Sequence, residues 1–107
     1  MKYTIDIRPL ALYEIYEAYD WYEAQREGLG MEFMQELEAF YSSLQRNPYT
    51  YSYYEEPVRQ GKINRFPYVV VYEIFDTAII VYSVFMAKQN PNKKEPCNTL
   101  TQLLLRL

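Results

Sequence analysis

Three cations stand close together before one predicted strand of this 107-residue chain: Arg59, Lys62 and Arg65. Residues 1–57 hold 4 Lys/Arg and 11 Asp/Glu, a net charge of −7, whereas residues 58–107 hold 7 and 3, a net charge of +4. A chain divided in this way can present one positive face to an anionic partner although its total charge is −3. The alternative is ordinary solvated surface charge.

Proton transfer and metal binding have few candidate residues in this sequence. The chain contains no histidine, the side chain that most often transfers protons at neutral pH. Its single cysteine, Cys97, cannot form an intrachain disulfide, so a reducing compartment is the simplest context. Zinc has almost no ligands, and we expect no metal and no cofactor. The carboxylates of the predicted helices are better explained as solvated faces: Glu14, Glu17, Asp20, Glu23, Glu27, Glu32, Glu36 and Glu38.

The segment that follows the cations predicts a β-hairpin. Pro67 has no backbone donor, so it belongs at the start of a strand, and residues 68–72 are β-branched or aromatic. Phe75-Asp76-Thr77 predicts a turn, and residues 78–85 run back as the second strand. Residues 58–64 predict a further strand before the hairpin. The cations therefore lie in and beside predicted strands.

Two helices are predicted before these strands. Residues 3–8 alternate as a strand with Tyr3, Ile5 and Ile7 on one face, and Pro9 fits the first turn of a helix. Gly28 fits the left-handed position after that helix, and Asn47-Pro48 ends the second one. The apolar stripes are Leu12, Ile15, Tyr19 and Tyr22 in the first helix and Phe33, Leu37, Phe40, Tyr41 and Leu44 in the second.

This order of elements predicts an α+β fold with an N-terminal strand, an antiparallel helical hairpin and then a three- to four-stranded antiparallel sheet. The fourth strand depends on residues 49–54, whose tyrosines fit a short strand or an aromatic loop. We expect residues 1–107 to form a single domain, with residues 93–107 as a C-terminal tail or short helix. The sequence shows no secretory leader and no apolar run of about 18 residues, so we expect a cytoplasmic protein without a membrane span.

Several segments, taken in order, resemble the RelE/ParE superfamily, the toxins of type II toxin–antitoxin modules that are also called plasmid stabilisation proteins. The resemblance covers about residues 3–92. The matching segments are Trp21-Tyr22-Glu23 at the end of the first helix, Gly28-Leu29-Gly30 at the helical turn, Asn47-Pro48 after the second helix, Arg65-Phe66-Pro67-Tyr68 and Val71-Tyr72-Glu73-Ile74 in the sheet, and Val84-Phe85 with Asn90-Pro91 at the final strand and its exit. No one segment is specific by itself, and the ordered set carries the resemblance.

The resemblance implies a growth-inhibiting toxin and an antitoxin protein that wraps it as an extended or helical peptide. One branch of the superfamily cleaves messenger RNA on the ribosome without a metal, which requires a base, an acid and cations around the phosphate. The other branch poisons DNA gyrase and requires a binding surface. The candidate catalytic residues for RNA cleavage are Arg59, Arg65 and Lys88. The candidate contacts to the target or to nucleic acid are Lys62, Tyr72 and Tyr82.

Two departures from the superfamily pattern favour the gyrase branch. Many members carry a histidine soon after the final strand and an arginine before the Asn/Asp-Pro pair, whereas the matching positions here are Met86 and Gln89. Methionine cannot transfer a proton, and glutamine cannot neutralise a phosphate. We therefore place a gyrase-type binding mechanism first. A ribosome-dependent messenger RNA endoribonuclease and a non-toxic descendant that only binds its partner are the alternatives.

The apolar side of the predicted C-terminal helix indicates a further contact. An isolated helix of this length is marginal in water, so it must pack against something. It packs either on its own core or, if it is exposed in the free protein, against the antitoxin or a second copy in a homodimer. The residues concerned are Leu100, Leu103, Leu104 and Leu107.

Overall fold

The computed structural model describes residues 3–87, which form two helices and five strands. The N-terminal strand comes first, both helices follow, and the remaining strands come last, so the predicted α+β fold class is confirmed. The elements are β1 (Thr4–Ile7), α1 (Pro9–Gln25), α2 (Leu29–Arg46), β2 (Tyr53–Glu55), β3 (Val58–Lys62), β4 (Tyr68–Phe75) and β5 (Ala78–Met86).

All five strands belong to one sheet with the order β1-β5-β4-β3-β2. Strands β2 to β5 pair antiparallel, which confirms the predicted antiparallel sheet, and the tyrosine-rich segment contributes the short strand β2. Strand β1 joins the far edge of the sheet and runs parallel to β5. The sequence pattern did not predict this parallel pair, because the two strands are separated in the chain by every other element of the described fold.

Helix α1 packs on the sheet through small residues. Its buried positions are Ala11, Ile15, Ala18 and Tyr22, whereas Leu12 is 39% exposed. The predicted stripe was therefore wrong at Leu12 and correct at Ile15 and Tyr22. The two alanines allow the helix backbone to approach the strands, and Leu12 lies on the outer side of the helix.

A carboxylate organises the link between the helices. Glu23 on α1 accepts hydrogen bonds from the backbone N–H groups of Gly28 (2.8 Å) and Gly30 (2.9 Å), which precede and begin α2. Gly28 has φ +92°, so the predicted left-handed position is confirmed. A Cβ atom at Gly30 would lie 2.7 Å from the ring of Tyr19. The short link therefore depends on an acceptor for the free N–H groups of α2 and on a residue without a side chain at Gly30.

Strand β5 contains a bulge in its second half. Val71 pairs with Ser83 and Tyr72 pairs with Val81, so Tyr82 is the extra residue. Glu14 on α1 fixes the chain just beyond it, because its Oε1 accepts hydrogen bonds from the Ser83 hydroxyl (2.8 Å) and the Val84 backbone N–H (2.9 Å). The bulge is thus held by a side chain from the helical layer.

The sheet separates two apolar clusters. The larger cluster lies between the sheet and both helices and includes Phe33, Leu37, Tyr72 and Val81. The smaller cluster lies on the opposite face, which we call the open face of the sheet, and is centred on two buried valines. Its members are Val58 and Val71, with Leu10, Tyr54, Val69, Tyr82 and Phe85 packed against them.

Candidate functional site

Arg59 lies on β3 between two tyrosine rings. Its guanidinium carbon is 4.1 Å from the ring centroid of Tyr53 and 5.3 Å from that of Tyr49. Its Nη1 also donates a hydrogen bond of 2.6 Å to the Tyr51 carbonyl. Both kinds of contact fix the segment that follows α2 against the sheet. The charge of Arg59 is therefore engaged inside the chain.

Lys62 lies at the end of β3, and its backbone pairs with Val69, which packs on the open face. Its side chain is exposed, and its Nζ is 3.4 Å from each of the carbonyl oxygens of Ile63 and Phe66. These are long hydrogen bonds to neutral acceptors. Lys62 is therefore held only loosely.

Arg65 adopts a left-handed conformation with φ +72°, which is uncommon for a residue with a Cβ atom. Its Nη2 donates to Glu32 Oε1 at 2.6 Å, and its Nη1 lies 3.6 Å from Glu36 Oε2, so it pairs with the first half of α2. The hydrogen bond from Arg65, reinforced by Arg26, holds the pKa of the Glu32 carboxyl below its usual value. Arg65 thus attaches the turn between β3 and β4 to the helical layer.

The structure does not bring Arg59 and Arg65 together. Arg59 contacts the segment that follows α2, whereas Arg65 contacts Glu32 and Glu36 near the start of that helix. About ten residues of helix separate Glu36 from the end of α2, which corresponds to about 15 Å at the rise of an α-helix. The two arginines therefore act at different ends of the helical layer.

The two candidate tyrosines lie on opposite faces of the sheet. Tyr72 is completely buried against the helices, and its hydroxyl donates a hydrogen bond of 2.7 Å to the Pro48 carbonyl. Tyr82 packs on the open face, and its hydroxyl donates to Glu73 Oε1 at 2.6 Å. Burial raises the pKa of Tyr72 to about 12, and burial together with the Glu73 hydrogen bond raises the pKa of Tyr82 to about 12. Both phenols are therefore protonated at neutral pH.

The remaining candidates cannot be placed. Lys88 and the C-terminal leucines Leu100, Leu103, Leu104 and Leu107 lie outside the described residues. Gln89 and Cys97 also lie outside them, whereas Met86 ends β5 and is 39% exposed.

Sequence reasoning missed two carboxylates and one groove. Glu73 anchors Tyr82, and Glu14 anchors the β5 bulge. The period-two pattern of a strand treats Glu73 as a solvated charge, and the pattern of helix α1 does the same for Glu14. A shallow groove of about 280 Å³ runs between α1 and the ends of β4 and β5, and we call it the α1–β5 groove. Its walls include Glu14, Glu17, Trp21, Tyr68, Val84 and Met86. The exposed Trp21 was the signal in the sequence that could have indicated it.

Two further classes of site receive no support within residues 3–87. No group of three or more His, Cys, Asp or Glu side chains in this part of the chain is arranged to hold a metal ion. Neither described helix has the length and apolar character needed to cross a bilayer.

Comparison with known proteins agrees with this architecture. A chain from a chromosomal ParDE toxin–antitoxin system of P. aeruginosa superimposes with a TM-score of 0.70 at 13% identity, covering 80% of this chain and 97% of that one. The E. coli toxin RelE, as a doubly substituted mutant in the free state, superimposes with a TM-score of 0.69 at 20% identity, covering 100% of this chain and 99% of that one. These identities are low, so the two structures establish the fold.

Comparison of the amino-acid sequence with family models identifies the family. No curated protein sequence matches the chain. The model of the ParE toxin of the type II toxin–antitoxin system parDE matches residues 5–91, which is most of the chain and includes both helices, strands β2 to β5 and all of β1 except Thr4. The chain therefore belongs to the ParE toxin family of type II toxin–antitoxin systems.

Proposed function

We propose that this ParE-family toxin inhibits growth by binding a cellular target, with DNA gyrase as the first candidate. The observation that carries the proposal is the placement of its arginines. Arg59 is held against the rings of Tyr49 and Tyr53, and the half-exposed Arg65 is paired with Glu32, so both cations already have partners within the fold. A binding mechanism requires no such cations.

The lack of a side chain suited to proton transfer at neutral pH supports the same proposal. Metal-independent RNA cleavage is most efficient with a base whose pKa lies near neutrality. The chain has no histidine, and the pKa values of Tyr72 and Tyr82 are both about 12, so neither phenol can act as a base at pH 7. Met86 occupies the end of the last strand, where it can neither donate nor accept a proton.

RNA cleavage is retained as a second function because of the open face. Lys62, Glu73 and Tyr82 come from three neighbouring strands, and Tyr82 is bonded to Glu73. A carboxylate base, a phenol and a lysine are a chemically sufficient set for phosphodiester cleavage if they converge on one substrate. In that case Lys62 and Tyr82 would take over the roles that the sequence first assigned to Arg59 and Arg65.

The cellular setting follows from the target. A protein that poisons gyrase or cuts ribosome-bound messages works in the cytoplasm. It requires a cognate antitoxin to keep the host alive, and a pair of this kind on a plasmid would stabilise its inheritance. A non-toxic descendant would bind the antitoxin alone. Homodimer formation through the C-terminal leucines stays a prediction.

Induced expression without an antitoxin tests the proposal. We expect arrested growth, trapped gyrase–DNA complexes in the arrested cells, and inhibition of purified gyrase in a supercoiling assay. Intact messages in a translating extract are expected alongside. Unimpaired growth at confirmed expression would indicate the non-toxic alternative.

Substitutions of the candidate catalytic residues separate gyrase binding from RNA cleavage. If messages are cut on the ribosome, and Tyr82→Phe or Lys62→Ala abolishes the cutting while the protein stays folded, the gyrase proposal fails. Arg59→Ala combined with Lys88→Ala tests the cations first suggested by the sequence. Glu38→Gln, a charge change on the exposed face of α2, is the matched control and should leave toxicity unchanged.

A further inference from the structure

One wall of the α1–β5 groove is formed by the exposed indole of Trp21. Trp21 is 54% exposed, yet its indole is held edge-on against the ring of Tyr22 at a centroid distance of 5.2 Å. Tyr22 is itself buried in the core. The indole is therefore supported by one ring contact while much of its surface stays exposed, a combination that suits a binding surface.

The other wall of the groove is apolar. Val84 is completely buried, Met86 is 39% exposed, and Tyr68 closes the end of the groove where β4 begins. Methionine adapts its shape to a partner and also covers the methylene stem of a long side chain well. The exposed part of Met86 therefore offers an aliphatic stem an apolar contact, and the buried Val84 supports this wall from beneath.

Carboxylates line the helical side. Glu17 lies in the groove, and its Oε2 accepts a hydrogen bond of 2.6 Å from the exposed Tyr13 hydroxyl. Within residues 3–87, no salt bridge joins Glu17 to a lysine or arginine. Residues 9–46, which span both helices, hold eight Asp/Glu against Arg26 and Arg46, a net charge of −6. This side of the molecule therefore attracts cations and repels nucleic acid.

We propose that the α1–β5 groove seats an arginine from an extended segment of a protein partner. The guanidinium stacks on Trp21 and pairs with Glu17, and its stem packs against the exposed part of Met86. Arginine fits better than lysine because its planar group can stack and pair at the same time. The segment would belong to the antitoxin, and this identification of the partner rests on the proposed function as a toxin.

The chain carries its own reporter for this interaction. Trp21 is the single tryptophan in the sequence, so its emission reports on the groove alone. The probe is an acetylated octapeptide with Val-Leu-Arg-Leu-Val at its centre. The matched peptide replaces arginine with citrulline, which keeps the shape and removes the charge. Both are titrated into the purified full-length protein at low salt.

We expect the arginine peptide to shift Trp21 emission in a saturable way and the citrulline peptide to bind about tenfold more weakly, since both the cation–π contact and the ion pair are lost. Glu17→Gln should weaken the arginine peptide about threefold and leave the citrulline peptide unchanged. Glu38→Gln, the same charge change on α2, should alter neither. Thermal melts of each variant establish that the fold is intact.

Three outcomes overturn the inference: no saturable change up to about 1 mM peptide, equal binding of the two peptides, or equal losses for Glu17→Gln and Glu38→Gln. The test is independent of toxicity. Peptide binding by a protein that leaves growth unimpaired would support the groove and reject the toxin mechanism. Growth arrest without peptide binding would support the toxin mechanism and reject the proposed role of the groove.

Discussion

Replacing Tyr72 with phenylalanine should destabilise the fold measurably. The Tyr72 hydroxyl is buried and donates a hydrogen bond of 2.7 Å to the Pro48 carbonyl, which is also buried. Tyr72→Phe removes the hydrogen bond and leaves that carbonyl without its donor. A hydrogen bond contributes about 1 kcal/mol net, and an unsatisfied buried carbonyl costs about 1–3 kcal/mol. We therefore expect the free energy of unfolding to fall by about 2 kcal/mol.

Tyr41 provides the matched control on α2. Its hydroxyl is buried and finds no hydrogen-bond partner among residues 3–87. Burial raises the pKa of this phenol well above its usual value, in keeping with a group that has lost water and gained nothing. Tyr41→Phe removes the same atom from a similar ring, so we expect no loss and a gain of up to about 1 kcal/mol. The two variants thus differ in the partner of the hydroxyl.

Urea denaturation, followed by circular dichroism, measures the free energy of unfolding of both variants. With a slope of about 1–3 kcal/mol/M, the Tyr72→Phe midpoint should fall by about 1 M, while the Tyr41→Phe midpoint stays or rises. The slope should not change, because neither variant alters the surface exposed on unfolding. Equal midpoints for the two variants would refute the reasoning, since the Pro48 hydrogen bond would then contribute nothing.

Three further predictions concern pH and packing. The folded pKa values of Tyr72 and Tyr82 are raised to about 12 from 10.0, so their contribution to stability is complete below pH 10 and is lost as the pH rises through 12; tyrosinate absorbance in an alkaline titration should rise together with unfolding. Gly61→Ala should cost about 1–3 kcal/mol in a thermal melt, because its Cβ would lie 2.7 Å from the Phe40 ring. Glu23→Ala removes both acceptors at the start of α2 and should cost about 1–2 kcal/mol, whereas Glu23→Gln, which keeps one acceptor oxygen, should cost less in the same assay.

Local signals were sufficient to predict most elements of the fold. Pro67 immediately precedes β4, Gly28 has the positive φ expected after a helix, and Asn47 follows the last residue of α2. Each of these residues acts through its own backbone restrictions, so its effect is visible in the sequence. The hairpin between β4 and β5 follows from the same kind of signal.

Tertiary contacts decided what the sequence could not predict. Ala11 is buried and Leu12 is exposed because α1 lies close to the sheet, and hydrophobicity alone favours the opposite assignment. The hydrogen-bond partners of Arg59 and Arg65 lie 8 to 33 residues away in the chain. Spacing along β3 and its turn suggested a cationic group, whereas the structure engages each arginine separately. The α1–β5 groove likewise depends on how α1 crosses β5.

The extra residue in β5 separates the strand into two halves that face different constraints on amino-acid substitution. Val81 and Val84 both contribute to the helix-facing core although they are three positions apart, which an uninterrupted strand forbids. Residues up to Val81 remain tied to β1, while those beyond the bulge form the groove wall. Natural variation beyond Tyr82 can thus remodel the surface offered to other proteins without disturbing the parallel pair that anchors the amino terminus.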